Sequence, residues 1–272
     1  MNVHRTVDAH GPVLLRERER SIATLVLNRP AARNSLSEAL LIALSDAFKD
    51  IAADKTVRAV MIAANGPAFC AGHDLKELTA RRSDGDGGRA YFKQIMTVCS
   101  GVMQQIVNLP QPVIACVQGV ASAAGCQLVA SCDLAIATSA AKFATPGVDI
   151  GLFCSTPMVA LSRNVSRKHA MAMLLTGEMI GADDAARIGL INRAVAPGDE
   201  RKEAIALATM VASKSSYTLK IGKQAFYRQA EMGLAAAYDY ASEVMTENMM
   251  ARDANEGICA FIEKRKPTWE DR

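Results

Sequence analysis

The chain has 272 residues, 50% hydrophobic and 22% charged, with 31 basic and 28 acidic side chains and a net charge of +3. That length supports a well-buried core in one large domain, or one domain with a smaller appendage, and the apolar share excludes a chain that is disordered throughout. Charges of both signs are interleaved and no run approaches the roughly 20 apolar residues that cross a bilayer, so neither nucleic acid nor a membrane is an expected partner.

The opening "MNVHRTVDAHGPVLLRERER" lacks the apolar centre of a secretory signal. Cysteines 70, 99, 116, 126, 132, 154 and 259 form no CxxC and lie mostly in apolar runs, as free thiols do in a reducing compartment. A cytoplasmic protein is expected; a matrix protein shorn of its targeting segment would read the same way. Residues 13–27, "VLLRERERSIATLVL", predict two strands turning near Glu19 to Ser21. After "NRPAARN", Ser35 and Glu38 have capping-box spacing, and Leu40, Leu41, Leu44, Phe48 and Ile51 share one helical face.

A short apolar strand, a glycine-bearing turn and a helix then recur: "RAVMIAANG" into "FCAGHDLKEL", "PVIACVQG" into "AAGCQLVASC", and "DLAIATSA" into "KFATPGVDIG" with a helix from about Thr156. Recurring units of this kind build coiled α/β folds around one core. "RRSDGDGGRA", residues 81–90, reads as a mobile loop. After Pro197 and Gly198 the pattern is helical only, over 199–214, 218–230, 234–251 and 254–265. This composition shift divides the chain into a core, 1–197, and a helical region, 198–272.

No GxGxxG follows a strand, and there is no Walker loop, GxSxG elbow, HExxH or Cys/His spacing for a metal. What remains is a pair of strand-to-helix turns, "FCAGHDLKEL" and "ASAAGCQL". Early N–H groups of a helix lack intrahelical partners and carry partial positive charge, which suits an anion or a developing oxyanion. Aimed at one point, the two turns make an oxyanion hole; otherwise they are tight connections built of small residues.

Motifs along nearly the whole chain, "LNRPAARNSLS", "FCAGHDLKEL", "VQGVASAAGCQLVASCDLAIA", "FATPGVDIGL", "TGEMIGADDAARIGLINRAV" and "FIEKRKPTWE", resemble the crotonase (enoyl-CoA hydratase/isomerase) superfamily. The resemblance implies an α/β spiral of β-β-α repeats with a C-terminal helical trimerisation region, forming a homotrimer or a dimer of trimers. It implies an acyl-CoA thioester ligand from fatty-acid metabolism, with no cofactor apart from the coenzyme A of the substrate and no metal. The thioester donors become the backbone N–H groups of His73 and Ala124. Arg33, Ala71, His73, Asp74, Leu75, Lys76 and Ala124 line the ligand, Arg33 near the nucleotide end, and the basic "EKRK" at 263–266 is either a phosphate contact or a solvated helix end.

Where hydratases of this family carry two glutamates, this chain carries Gln127 and Gly147. Neither side chain titrates, so two-carboxylate water addition is not expected. Gln127 is left to orient a water or a polar substrate group through its amide. If residues 147–149 are extended, Asp149 points into the space that Gly147 vacates. His73 is either a proton carrier or an imidazole that narrows the pocket; Cys154 and Ser155 are nucleophile candidates with no evident base. Three functions follow: enolate chemistry of the hydratase/isomerase kind, another acyl-CoA reaction such as thioester hydrolysis or decarboxylation, or acyl-CoA binding without catalysis. Glutamate at both 127 and 147 is expected to give detectable hydration if the pocket is otherwise intact.

Overall fold

The computed structural model describes residues 11–272; the first ten residues, with His4 and His10 and half of the stretch read for a signal, lie outside it. Strands β1 (Leu14–Glu19) and β2 (Ile22–Leu27) form the expected antiparallel hairpin and lead to helix α1 (Glu38–Ala53). Three units follow: β3 (Ala59–Ala64) and β4 (Ala68–Cys70) with α2 (Leu75–Ala80) and α3 (Arg89–Asn108); β5 (Val113–Val117) and β6 (Val120–Ser122) with α4 (Ala124–Ser131); β7 (Leu134–Thr138) and β8 (Lys142–Ala144) with α5 (Pro157–Asn164) and α6 (Arg167–Thr176). The chain continues through β9 (Ile180–Gly181), α7 (Ala182–Arg187), β10 (Arg193–Val195), α8 (Glu200–Ala212), α9 (Ser216–Gln229), α10 (Leu234–Met250) and α11 (Arg252–Ile262).

The first strand of each unit joins a six-stranded sheet, β1-β2-β3-β5-β7-β10, and the second joins a four-stranded sheet, β4-β6-β8-β9. Pairing is parallel except at the β1-β2 and β8-β9 edges. A chain that advances by one strand in each sheet at every unit is a spiral, and the fold is the α/β spiral of β-β-α repeats that the resemblance implies, of the coiled α/β kind that the recurrence predicts. Among the described residues no helix is long and apolar enough to cross a membrane.

Both faces of the central strands of the large sheet are covered, which explains their nearly unbroken apolar sequences. In β3, "AVMIAA", Val60 and Ile62 face the main core with Leu40, Leu44 and Phe48 of α1, whereas Ala59, Met61 and Ala63 face Ala204, Ala208 and Ala212 of α8. Alternation along a strand separates the two sets. Alanine at every fourth position lets α8 lie close to the sheet, so this helix completes the core although the composition shift falls before it. The capping residue of α1 also differs from the expected one: Ser37, not Ser35, accepts from Leu40 N–H at 3.2 Å, and Glu77 from α2 accepts from Glu38 N–H at 3.0 Å.

The later helices are held by polar anchors. No residue of α9 or α10 is buried, yet Lys223 Nζ reaches Asp133 Oδ2 at 2.6 Å and donates to the carbonyls of Ile106 at 2.9 Å and Gln111 at 3.1 Å. Leu234, Tyr238, Met245, Met250 and Phe261 stand exposed on α10 and α11. At the end of the chain, the fully buried Asp253 carboxylate accepts from the backbone N–H groups of Glu270 at 2.8 Å and Asp271 at 2.9 Å, while Trp269 Nε1 donates to the Ser213 carbonyl at 2.9 Å.

Burial pushes the Asp253 carboxyl up, but its hydrogen bonds, including that from Ser215, outweigh this and hold it below the usual carboxylate value. A depressed folded pKa contributes stability that is complete above the unfolded value of about 3.9 and disappears as pH falls through the folded value. Asp253→Ala is expected to release the tail at neutral pH. Fluorescence of Trp269, the single tryptophan, should then show solvent exposure that the parent shows only in acid; an unchanged spectrum would contradict this anchor.

Candidate functional site

The site is assembled from the "NRPAARN" turn and the two strand-to-helix turns. Arg33 and Asn34 both adopt left-handed backbone, φ +50° and +54°, a region in which asparagine is better tolerated than most residues. The fully buried Asn34 amide donates to the carbonyls of Asn65 and Ala68, each at 2.8 Å, and accepts from Arg29 N–H at 2.8 Å. Leu36 N–H donates to Gly72 O at 2.7 Å and Asp74 N–H to Leu36 O at 3.2 Å, which fixes the backbone on both sides of His73. The Arg29 guanidinium closes the corner, reaching Asp74 Oδ2 at 2.9 Å and the Ser35 carbonyl at 2.7 Å. Burial raises the Asp74 carboxyl, and the adjacent guanidinium together with the backbone N–H groups of Glu77 and Lys76 more than offsets it, so the group lies below the usual carboxylate value.

The turns after β4 and β6 touch. A Cβ built on Gly72, φ +97°, would stand 3.0 Å from Ala123 Cβ and 3.5 Å from Ala124 N. One built on Gly125 would stand 2.1 Å from the Cys70 carbonyl, so only glycine permits that approach of α4 to β4. Ala123 itself lies at φ +50°, ψ −116°, backbone that costs a non-glycine residue energy. Its strain is held by Ala123 N–H to Ala144 O at 2.9 Å and Gln127 N–H to Ala123 O at 3.0 Å. No side chain caps α4. Neither the His73 nor the Ala124 amide donates a hydrogen bond within the described residues, so two donors project from adjoining turns.

Both ring nitrogens of His73 are buried without a hydrogen-bond partner, and desolvation, partly offset by the Leu36 carbonyl, pulls the imidazole below its usual pKa. It is therefore neutral at pH 7, one nitrogen free to accept a proton. Gln127 is buried with an unpartnered Oε1, as is Thr145 with its Oγ1. Burial raises the Cys154 thiol, which keeps it from serving as a thiolate, and Ser155 Oγ turns to the Phe153 carbonyl at 3.3 Å. All seven cysteines are free thiols, and among the described residues no His, Cys, Asp or Glu cluster has metal-binding geometry.

Asp149 requires a correction. Residues Pro146–Ile150 form a 3-10 turn, not a strand, so residues 147 and 149 do not share a face. The Asp149 carboxylate lies against Gly177, whose built Cβ would be 3.0 Å from both its oxygens, and the side chain is exposed rather than turned into the site. Gly147 opens no space either: its built Cβ would meet the Leu152 carbonyl at 2.7 Å and Cys154 Sγ at 2.9 Å.

Beside the Gly72 turn lies a cleft of about 480 Å³, lined among others by Arg33, Ala71, Asp74, Leu75 and Lys76. These are five of the seven expected ligand-lining residues; His73 and Ala124 do not line this cleft. Arg33 and Lys76 are exposed and make no ion pair within the described residues, an arrangement suited to phosphate. Arg265 is not available for that purpose, because Glu256 holds its guanidinium at 2.6 and 2.9 Å. The 81–90 loop is also more structured than expected, Asp86 accepting from Gly88 and Ala90 N–H at 2.9 and 2.8 Å ahead of α3. Sequence reading missed Arg29, whose role depends on its distant partner Asp74, and Thr145, whose hydroxyl is notable only for lacking one.

The enoyl-CoA hydratase/isomerase family model matches residues 17–272. Enoyl-CoA hydratase domain-containing protein 3, mitochondrial, of Rattus norvegicus is 47% identical over 248 residues, 91% of this chain and 81% of that protein. Among solved structures, an enoyl-CoA hydratase of Mycobacterium smegmatis matches at a TM-score of 0.90 and 52% identity, covering 95% of this chain and 99% of that one. Human enoyl-CoA hydratase domain-containing protein 3 matches at a TM-score of 0.90 and 45% identity, covering 94% and 100%.

Proposed function

Since the chain belongs to the enoyl-CoA hydratase/isomerase family, we propose that it binds an acyl-CoA thioester, the thioester oxygen held between the backbone N–H groups of His73 and Ala124. The observation that carries this reading is the contact between the two turns, with Gly72 against Ala123 and the Ala124 amide. Negative charge grows on a thioester oxygen when the α-carbon loses a proton, and preorganised donors stabilise it; loss of one such donor typically costs about 3 kcal/mol at the transition state. Arg33 and Lys76 take the phosphates at the cleft, and coenzyme A enters as part of the substrate with no further cofactor.

Within this reading the chemistry is enolate formation without paired carboxylates. His73, neutral and unpartnered, takes the α-proton and returns it. Gln127 holds a polar group or water through its amide and transfers no proton. Thioester hydrolysis through an acyl-enzyme is less well supported, because burial raises the Cys154 thiol and Ser155 Oγ turns to the Phe153 carbonyl, whereas decarboxylation draws on the same oxyanion donors as enolate formation. The exposed apolar side chains of α10 and α11 support assembly as a homotrimer or dimer of trimers. The reading extends to fatty-acid metabolism, in the cytoplasm or, as the rat relative's name suggests, in mitochondria.

Incubating a saturated acyl-CoA with the protein in D2O tests this directly. Deuterium is expected at the α-carbon by mass spectrometry, and His73→Ala should slow its uptake by about 10²- to 10⁴-fold. Because the imidazole acts as the neutral base, exchange should persist as pH falls past the usual histidine value near 6.5 and fail only below it. Tight binding with no exchange in the parent protein would leave acyl-CoA binding without catalysis as the function.

A further inference from the structure

Helix α2 supplies Leu75 and Lys76 to the cleft, and His73 lies two residues before it. Its six residues are too few for a helix to persist on its own hydrogen bonds. None of them is fully buried, and only Leu78 packs partly against the main core. Polar contacts with the segment that opens α1 must therefore place it. Leu36 and His73 pair as an isolated parallel bridge, with Leu36 N–H donating to Gly72 O and Asp74 N–H to Leu36 O. Beyond this bridge Glu77, in the first turn of α2, accepts from Glu38 N–H at 3.0 Å through its carboxylate.

Glu38 is the first residue of α1, where a backbone N–H has no partner inside the helix. The Ser37 hydroxyl caps Leu40 N–H instead, so Glu77 supplies a cap that the local sequence does not. Its negative charge also suits the positive end of α1. The Glu38 side chain is tied in turn to α3, where Gln94 Nε2 donates to its Oε1 at 2.8 Å. Burial raises the Glu77 carboxyl above its usual value, and the charges of Asp74 and Glu38 add to this against the Glu38 N–H and Arg29. A carboxylate held where burial and its acidic neighbours oppose it is serving a structural task. We propose that Glu77 is a positioning residue for the oxyanion site: by closing the second end of the ladder between residues 36–38 and 72–77, it keeps the His73 amide aligned with that of Ala124. Without this clamp α2 pivots about the Leu36 bridge and carries the His73 backbone with it. The proposal rests on the thioester reading above.

Two readouts on Glu77→Ala test it. In the free protein, amide hydrogen exchange at Leu36 and Asp74 should quicken by at least about tenfold, while Val60 N–H, bonded to Pro112 O at 2.9 Å, keeps its protection and reports an intact core. With butanoyl-CoA in D2O, the maximal rate of α-deuterium uptake should fall by about 10- to 100-fold. KM should change by less than about threefold, because the loss falls on the developing oxyanion while Arg33 still holds the coenzyme. Glu77→Gln keeps an oxygen that accepts from Glu38 N–H and should return both readouts to within about threefold of the parent. Unchanged protection at Leu36 and Asp74, an unchanged maximal rate in folded Glu77→Ala, or Glu77→Gln as slow as Glu77→Ala would overturn the clamp and leave the acyl-CoA reading intact. A parent protein that takes up no deuterium overturns the enolate reading instead, and exchange at Leu36 and Asp74 then decides the clamp alone.

Discussion

Glutamate at positions 127 and 147 together is expected to destabilise the protein by about 2 to 4 kcal/mol and to add no water to an enoyl-CoA. The sequence comparison with working hydratases suggests the opposite, that restoring two carboxylates restores hydration. Packing decides against it. A single Cβ on Gly147 would already lie 2.7 Å from the Leu152 carbonyl, 2.9 Å from Cys154 Sγ and 3.3 Å from Cys154 N. Two of these are backbone atoms, fixed by Leu152 N–H to Gly147 O at 2.9 Å, and cannot rotate aside. The 147–154 loop must open before a glutamate fits, and opening it uncovers Cys154. At position 127 a carboxylate would replace a buried amide, where burial favours its protonated form. Urea unfolding and loss of the conjugated-thioester absorbance measure the two parts. A double variant with parental stability and clear hydration would show that the loop is far more compliant than its contacts indicate.

Lys223→Ala is expected to cost about 3 to 5 kcal/mol, far more than a surface lysine. Desolvation pulls the Lys223 ammonium below its usual pKa, and the neighbouring Asp133 carboxylate works against this. Besides the ion pair at 2.6 Å, Asp133 Oδ1 accepts from Tyr227 Oη at 2.9 Å and Oδ2 from Val113 N–H at 2.7 Å. Both charged side chains are largely buried, so removing one leaves the other unpaired in the interior. The network also attaches α9, which buries no residue of its own. Lys223→Met keeps the length of the stem and should cost nearly as much. Pairing it with Asp133→Leu should recover much of the loss, because the uncompensated carboxylate is then gone. A shift of less than about 1 kcal/mol for Lys223→Ala in urea would contradict a buried, obligatory pair.

Sequence reading carried further for the spiral than for the site, and the physical reasons differ by residue. Apolar strands covered on both faces are continuous in sequence, and the glycine turns that follow them recur, so the strand-turn-helix unit was readable without any contact information. The helices after Pro197 matched their pattern to within a few residues. That α8 covers the large sheet could not be read, because Ala204, Ala208 and Ala212 pack against β2, β3, β5 and β7, all distant in the sequence. Ser35 and Ser37 both precede a helical pattern, and only the true start of α1 at Glu38 selects Ser37 as its cap.

Within the site, the Gly72 and Ala124 turns were recognisable from small residues between a strand and a helix. Their mutual contact was not, since β4 and β6 become neighbours only in the folded sheet. Asp149 was placed by assuming an extended backbone. "TPG" carried a contrary signal: proline begins the 3-10 turn and Gly151 at φ +76° ends it. Gly147 was legible as the absence of a carboxylate, while the closure of the space around it belongs to residues 152 and 154. Thr145 gave no sign in sequence, because an unpaired hydroxyl is defined by what surrounds it.

The most direct test is a crystal structure of the protein with a bound acyl-CoA. The account predicts the thioester oxygen about 2.7 to 3.1 Å from both the His73 and Ala124 backbone nitrogens, with the phosphates toward Arg33 and Lys76. A thioester bound elsewhere, or with its oxygen bonded to neither amide, would contradict it.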